Sequence, residues 1–252
     1  MTIEFKRLVY DRQYYLTHLE TMNEDLMMCV EIGNSCFEWC YKLSELTIPN
    51  SISKIGDDCF YRCTNLSEIT ILNSVIEIGT HCFENCVSLT KIEIPSSVTE
   101  IYDWCFSSCH NLTKILIPNS INKIGDECFY KCTNLTKILI PNSINEIGHH
   151  CFENCVSLTK IEIPSSVTKL GEWCFSWCSN LLEMEIPNSI NKIGDECFYK
   201  CYNLSKIIIP NSVKEIGEYC FYNCSNLSKI EIPNSVTKIG DKCFKNCNLL
   251  EI

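Results

Sequence analysis

Apolar and polar residues alternate over short stretches that recur along the whole chain. The stretch "LTKIEIP" at 89–95 places apolar side chains at Ile92 and Ile94. The charged Lys91 precedes Ile92, and the charged Glu93 lies between the two isoleucines. Alternation with a period of two, rich in β-branched residues, predicts a half-buried β-strand. Pro95 ends the strand because proline has no N–H to donate to a continuing ladder. The third and fifth residues of each such stretch are therefore expected on the outer surface of a sheet.

The stretch belongs to a repeat of 23 residues. The dipeptide Cys-Phe recurs at this interval, and a second cysteine follows each first cysteine by four positions; the Cys-Phe pairs begin at 36, 59, 82, 105, 128, 151, 174, 197, 220 and 243. All eight prolines fall at one position of the repeat and all nine glycines at another. Residues 81–99 also recur unchanged at 150–168, which indicates the duplication of a block of three repeats.

The second half of the repeat predicts a turn and a short helix. "NSVTKIG" is expected to be extended or turning, with valine and isoleucine pointing inward and glycine at a position of positive φ. An Asp or Asn such as Asp126 follows the glycine and would cap a helix of one or two turns, partly 3₁₀, over "ECFYKC" at 127–132.

A single repeat of this length cannot bury its apolar face alone, whereas stacked neighbours can. The sequence therefore predicts an α/β solenoid of ten repeats, with a parallel sheet on the concave face and short helices or 3₁₀ turns on the convex side. Residues 1–29 precede the repeats and predict an N-terminal cap with an amphipathic helix, and 30–252 form the solenoid, one domain with the cap. The last sheet edge is expected to be uncapped, which favours a homodimer through that edge.

The consensus L-x-x-I-x-I-P-x-S-V-x-x-I-G-x-x-[AC]-F-x-x-C-x-x-L resembles the BspA-like, or Treponema-type, leucine-rich repeat over residues 30 to 252. The resemblance implies a right-handed leucine-rich-repeat solenoid. It also implies a surface-associated microbial protein that binds host matrix proteins or other cells. Two features differ from the bacterial pattern: cysteine stands where alanine is common before the phenylalanine, and no secretion signal or anchor is visible. The location is thus expected to be the cell surface by resemblance, or the cytoplasm by the missing signal.

Composition narrows the classes of partner. The net charge of −10 and pI near 5.0 argue against nucleic acid, which requires clustered positive charge. No apolar run approaches the roughly 18 residues that span a bilayer, so membrane insertion is not expected. No catalytic triad, phosphate-binding glycine loop or His-Glu-x-x-His motif is present. We expect that the protein is not an enzyme and that it binds no cofactor or resident metal.

The cysteines have three interpretations. Twenty of the 21 belong to the repeat, and on a helix positions i and i+4 lie on one face, so each pair is expected to fill the core as reduced thiols. Disulfides between adjacent repeats are a second hypothesis. Zinc or redox chemistry is a third, although the C-x₃-C spacing satisfies only the loosest form of a zinc motif.

The candidate binding site lies on the predicted concave strand face. Four consecutive repeats carry lysine at the third strand position, and the fifth position of the same repeats carries two leucines between two glutamates; these residues are Lys91, Glu93, Lys114, Leu116, Lys137, Leu139, Lys160 and Glu162. An apolar patch surrounded by charge is typical of a protein-binding surface. The alternative is that lysine and glutamate alternate only to solvate the sheet. The four tryptophans are expected on the convex side, packed along the ridge or anchoring a partner.

These patterns favour a protein-interaction and adhesion scaffold without catalysis, whose ligand is a protein. An intracellular leucine-rich-repeat adaptor is the alternative, favoured by free thiols. A zinc- or redox-active cysteine-rich protein is a minor alternative.

Overall fold

The computed structural model describes residues 30–250. The predicted helical cap at 1–29 lies outside the described residues, so the division into cap and solenoid stays a prediction.

The repeats contribute short parallel strands to two faces of a solenoid. One face, here the long-strand face, consists of Glu45–Thr47, Glu68–Thr70, Lys91–Glu93, Lys114–Leu116, Glu183–Glu185, Lys206–Ile208 and Lys229–Glu231. The other, here the short-strand face, consists of Glu31–Ile32, Lys54–Ile55, Glu77–Ile78, Glu100–Ile101, Lys123–Ile124, Glu146–Ile147, Lys169–Leu170, Lys192–Ile193, Glu215–Ile216 and Lys238–Ile239. Paired residues are 23 apart, as in Ile92 with Ile115 and Ile55 with Ile78. The predicted parallel solenoid is confirmed.

The core runs the length of the solenoid as stacked columns of equivalent side chains. Phe129, Cys128 and Cys132 are fully buried, as are their counterparts in most repeats. Neighbouring phenylalanine rings stack nearly parallel with centroids 5.2 to 5.8 Å apart, from Phe37 to Phe244. Each buried phenylalanine stabilises the fold by about 1.5–3 kcal/mol. The prediction that Cys, Phe and Cys face the interior is confirmed, although the segment that carries them is not the predicted helix.

The predicted helices over the Cys-Phe segments are wrong: residues 30–250 contain no helix. Glu127 and Lys131 adopt left-handed conformations, with φ of 53° and 56°, and equivalent positions do so in every repeat. The backbone N–H groups of Glu127, Phe129 and Lys131 donate to the next repeat, as from Phe129 to the carbonyl of Cys151 at 2.9 Å, whereas that of Tyr130 donates to Glu127 within the turn. These segments form a hydrogen-bonded stack of turns, here the turn ladder.

The spacing of the repeats explains why no helix forms. Strands of successive repeats lie about 4.8 Å apart, whereas an α-helix with its side chains is roughly 10–12 Å wide. Helices in consecutive repeats would fit only if the repeats spread apart on this side, and the phenylalanine rings of the Cys-Phe segments lie only 5.2 to 5.8 Å apart. A turn that sends its N–H groups along the solenoid axis fits the same spacing and satisfies its donors.

The roles predicted for glycine and for the following Asp or Asn also need correction. Within residues 30–250 no glycine has positive φ. The Asp side chain does not cap a helix but accepts a hydrogen bond from the next repeat: Asp103 Oδ1 accepts from the N–H of Asp126 at 2.8 Å, and Asp195 Oδ1 from Glu218 at 2.8 Å. Glycine fits this position because the preceding repeat lies against its Cα in most repeats, and Tyr102 is the one other residue type in the column.

Candidate protein-binding face

The long-strand face positions all eight predicted site residues on its outer surface. Each of its three-residue strands from Glu45–Thr47 to Lys206–Ile208 exposes its two outer residues and buries the middle one. Lys91 lies beside Lys114 and Glu93 beside Leu116 in the parallel register. Leu139 pairs with Glu162 through a single parallel bridge. We call the eight residues the central patch.

Backbone pairing is weakest under the middle of the central patch. Three-residue strands end at Lys114–Leu116 and resume at Glu183–Glu185, with the Leu139–Glu162 bridge between them. The inward side chains remain in place, since Ile115 and Ile138 are 3% and 4% exposed. The core therefore holds this part of the face where the backbone ladder is interrupted.

Two leucines of the patch are exposed to solvent. Leu116 is 45% exposed and Leu139 is 69% exposed, on consecutive repeats. Every other outer position between Lys91 and Glu162 on this face carries a charge. The two leucines thus form a small apolar surface enclosed by charged side chains, the arrangement common at the centre of protein-binding sites.

The lysines at the middle of the patch differ from those at its borders. Lys91 Nζ lies 3.7 Å from Glu68, and Lys160 Nζ lies 3.3 Å from Glu162 and 3.9 Å from Glu183. In residues 30–250, Lys114 and Lys137 take part in no ion pair. Two unpaired ammonium groups therefore flank the exposed leucines, and they favour a ligand with negative charge.

The short-strand face shows what charge balance alone produces. Lysine and glutamate on neighbouring repeats pair there, as Lys54 with Glu77 at 2.7 Å and Lys169 with Glu146 at 2.5 Å. The hydrogen bond that the Lys54 ammonium donates to the Glu77 carboxylate raises the pKa of Lys54. The explanation that charges only solvate the sheet fits this face. It does not account for four consecutive lysines on the other face.

A groove on the long-strand face extends beyond the predicted site. It has a volume of about 1090 Å³ and runs from Lys160 to Asn234. Only Lys160 and Glu162 of the central patch line it. The alternation of residues places Glu162, Glu185, Ile208 and Glu231 in one outward column. A groove depends on how successive repeats stack, which this alternation does not specify.

The cysteines form part of the core and are not arranged as a reactive site. The twenty cysteines in residues 30–250 form no disulfide. From Cys63 onward, the second thiol of each pair donates to a carbonyl of the preceding repeat, as Cys132 Sγ to Phe106 at 3.2 Å. Burial raises the pKa of Cys109 and of Cys155 to about 12, so these groups are thiols at neutral pH. Nucleophilic and metal-binding chemistry needs the thiolate.

The tryptophans lie on the turn ladder and pack against neighbouring repeats. Trp104 stacks on His81 with centroids 5.5 Å apart, and the Lys200 ammonium lies 3.9 Å from the ring centroid of Trp177. His81 also contacts Glu84 at 2.5 Å, and the block duplication repeats this pair as His150 with Glu153. Intramolecular packing accounts for this ridge.

Residues 30–250 hold no group of three or more His, Cys, Asp or Glu side chains suited to a metal ion. The same residues include no helix with the length and apolar character needed to cross a membrane. The absence of catalysis stays a prediction.

Comparison with solved structures supports the leucine-rich-repeat fold. The chain is similar to a leucine-rich repeat protein of T. pallidum, at 27% identity and a TM-score of 0.61, covering 82% of this chain and 84% of that one. It is also similar in fold to the pneumococcal vaccine antigen PcpA, at 24% identity and a TM-score of 0.57, covering 78% of this chain and 58% of PcpA. No curated protein matches significantly.

A family model described as "BspA type Leucine rich repeat region" matches this chain in six copies, over residues 30–158 and 145–252. This match covers the whole repeat array, and the chain belongs to the BspA-type leucine-rich repeat family.

Proposed function

We propose that this protein is a non-catalytic protein-interaction scaffold whose binding site is the central patch. Family and fold support a protein-interaction scaffold in general. The observation that carries the specific site is the pair of exposed leucines, Leu116 and Leu139, beside the unpaired Lys114 and Lys137. A ligand with acidic side chains around an apolar anchor complements this surface.

The proposed biological role is adhesion: the scaffold binds host or cell-surface proteins from the surface of a microbe. This role rests on the resemblance to BspA-like proteins. The alternative is an intracellular adaptor, and the buried free thiols favour it because reducing compartments preserve thiols. Antibody labelling of intact and permeabilised cells separates the two. Labelling only after permeabilisation would contradict the adhesion role and leave the scaffold proposal intact.

The binding site is tested by reversing charge at its centre. Purified protein is applied to immobilised extracellular-matrix proteins and to intact cells, with binding measured by biolayer interferometry and flow cytometry. We expect the double variant Lys114→Glu and Lys137→Glu to weaken binding at least about tenfold, since two exposed attractive contacts become repulsive. Its thermal midpoint should remain unchanged, because both side chains lie on the surface without partners.

The matched control carries the same change in net charge outside the central patch. Lys192 and Lys214 are exposed and lie outside the central patch. Their replacement by glutamate should leave binding within about twofold of the original value. Equal loss in both variants would show a general charge effect, and unchanged binding in the first would place the site elsewhere.

The second proposed partner is another copy of the same chain, with which the protein would form a homodimer. In residues 30–250 the last repeat exposes apolar side chains, with Ile232 37% and Ile239 47% accessible. Pairing of equivalent edges from two copies would cover these groups.

A further inference from the structure

The groove that runs from Lys160 to Asn234 differs in charge from the central patch and is a second candidate site. Four carboxylates line it, on Glu162, Glu183, Glu185 and Glu231, against the two ammonium groups of Lys160 and Lys206. Lys160 is already engaged by Glu162 and Glu183, at 3.3 and 3.9 Å. The groove is therefore net negative.

Two of these carboxylates have no internal partner. In the part of the chain that the structure describes, Glu185 and Glu231 form no ion pair, and both are exposed. The parallel register places Ile208 between them, beside Glu185 on one side and Glu231 on the other. Ile208 is 44% exposed. An exposed apolar side chain thus separates two unneutralised negative charges along the solenoid axis.

The wall of the groove carries a row of amides. Asn188, Asn211 and Asn234 each follow the proline that ends a strand, and all three side chains are exposed. None of them hydrogen-bonds to another group within residues 30–250. Exposed amides at regular intervals can donate to the carbonyls of a bound chain whose own backbone is unpaired.

The spacing of the carboxylates indicates the shape of the ligand. Adjacent strands lie about 4.8 Å apart, so Glu185 and Glu231 are separated by about 9.6 Å. A polyproline II helix rises about 3.1 Å per residue with three residues per turn, which places side chains i and i+3 on one side about 9.3 Å apart. It has no internal hydrogen bonds, so its carbonyls are free to accept from the asparagines. In a fully extended strand, side chains on one side are about 6.6–6.8 Å apart instead.

We propose that this groove binds an extended polyproline II segment of a partner protein that carries lysine or arginine at positions i and i+3. The basic side chains pair with Glu185 and Glu231, and the intervening residues pack on Ile208. The groove shares Lys160 and Glu162 with the central patch, but Glu185, Ile208 and Glu231 lie outside that patch. Its net charge is opposite to that of the patch, so it selects a different ligand.

The test uses the full chain and a fluorescent peptide of repeating Pro-Pro-Lys, with binding measured by anisotropy. We expect saturable binding that weakens at least tenfold in the double variant Glu185→Lys and Glu231→Lys. The control variant Glu31→Lys and Glu45→Lys makes the same change in net charge at exposed sites outside the groove, and it should change affinity less than twofold. The variant Lys114→Glu and Lys137→Glu should still bind the peptide.

Peptide controls test charge and spacing. A repeating Pro-Pro-Glu peptide should not bind, and a peptide of the same composition with its lysines clustered at one end should bind several-fold more weakly. Lack of binding to Pro-Pro-Lys, equal loss in both protein variants, or equal affinity for the clustered peptide would overturn the proposal. A concentration-dependent dimer that is lost only in the groove variant would overturn it in favour of a second copy as occupant.

Discussion

The carboxylate of Asp126 lies against Gly148, 22 residues later in the chain. Its Oδ1 accepts a hydrogen bond from the N–H of His149 at 2.7 Å, and a Cβ placed on Gly148 would lie 2.5 Å from the same oxygen. The Asp and Gly columns therefore act together: the side chain of one repeat bonds to the backbone of the next, and glycine makes the close approach possible.

We predict that Gly148→Ala destabilises the protein by about 1–3 kcal/mol, since the added methyl group overlaps both the carboxylate and the Asp126 backbone. In a chain of this length the thermal midpoint should fall by roughly 2–12 °C, measured by circular dichroism. Gly33→Ala is the matched control, because no described atom lies within 4 Å of a Cβ at that position. Equal effects of the two changes would contradict the packing explanation.

Alkaline pH should unfold the protein steeply. Burial raises the pKa of most ladder thiols, with Cys155 and Cys197 at about 12, whereas an unfolded cysteine has a pKa of about 8.5. Above that pH the unfolded chain loses protons that the folded chain retains, so stability is full below about pH 8.5 and falls as pH rises toward the folded values. Each such thiol lowers the free energy of unfolding by about 1.4 kcal/mol per pH unit.

On the order of ten thiols acting together would remove about 14 kcal/mol per pH unit, as much as the whole stability of a typical domain. Unfolding is therefore expected within about one unit above pH 8.5, under reducing conditions. The free energy of unfolding of the combined variant Cys132→Ala and Cys155→Ala should fall less steeply with pH, because unfolding of this variant releases about two fewer protons. A stability that stays constant from pH 8 to 10 would contradict the thiol ladder.

Thiol reactivity should distinguish the three interpretations of the cysteines. A pKa of about 12 in place of about 8.5 lowers the thiolate fraction at neutral pH roughly a thousandfold, so buried thiols such as Cys109 should react with Ellman's reagent only after unfolding. Denatured protein without reductant should titrate all 21 thiols. A markedly lower number would support disulfides, and bound zinc by elemental analysis would support the metal hypothesis.

If the protein forms a homodimer, the molecular mass measured by multi-angle light scattering should rise with protein concentration from the monomer value to twice that value. Ile239→Lys should shift the protein to monomer, because it places a charge on the exposed last repeat. Ile76→Lys provides the control, since Ile76 is 60% exposed but lies in an interior repeat. A constant monomer mass for the unchanged protein would exclude the dimer.

Much of the fold follows from the repeat. The buried Ile92 and Ile115, the outward Lys91 and Lys114, and the inward cysteines all agree with the alternation and the 23-residue period. The composition of the central patch was also predictable, because strand alternation determines which residues share a face. The turn over 127–132 was not predictable, since the local capping signal at Asp126 favours a helix as strongly as it favours a turn.

The period, the residues that face inward and the chemistry of each outward column follow from the amino-acid sequence alone, because they depend only on which side chains avoid water and on strand alternation. What the Cys-Phe segments become and where the groove lies depend on how the repeats stack. The close spacing of repeats excludes a helix about 10 Å wide and turns the donors of Glu127 and Phe129 toward the next repeat. Lys114 and Glu185 form no ion pair because of which charged residues the neighbouring repeats place beside them. The sequence of a single repeat does not contain this information.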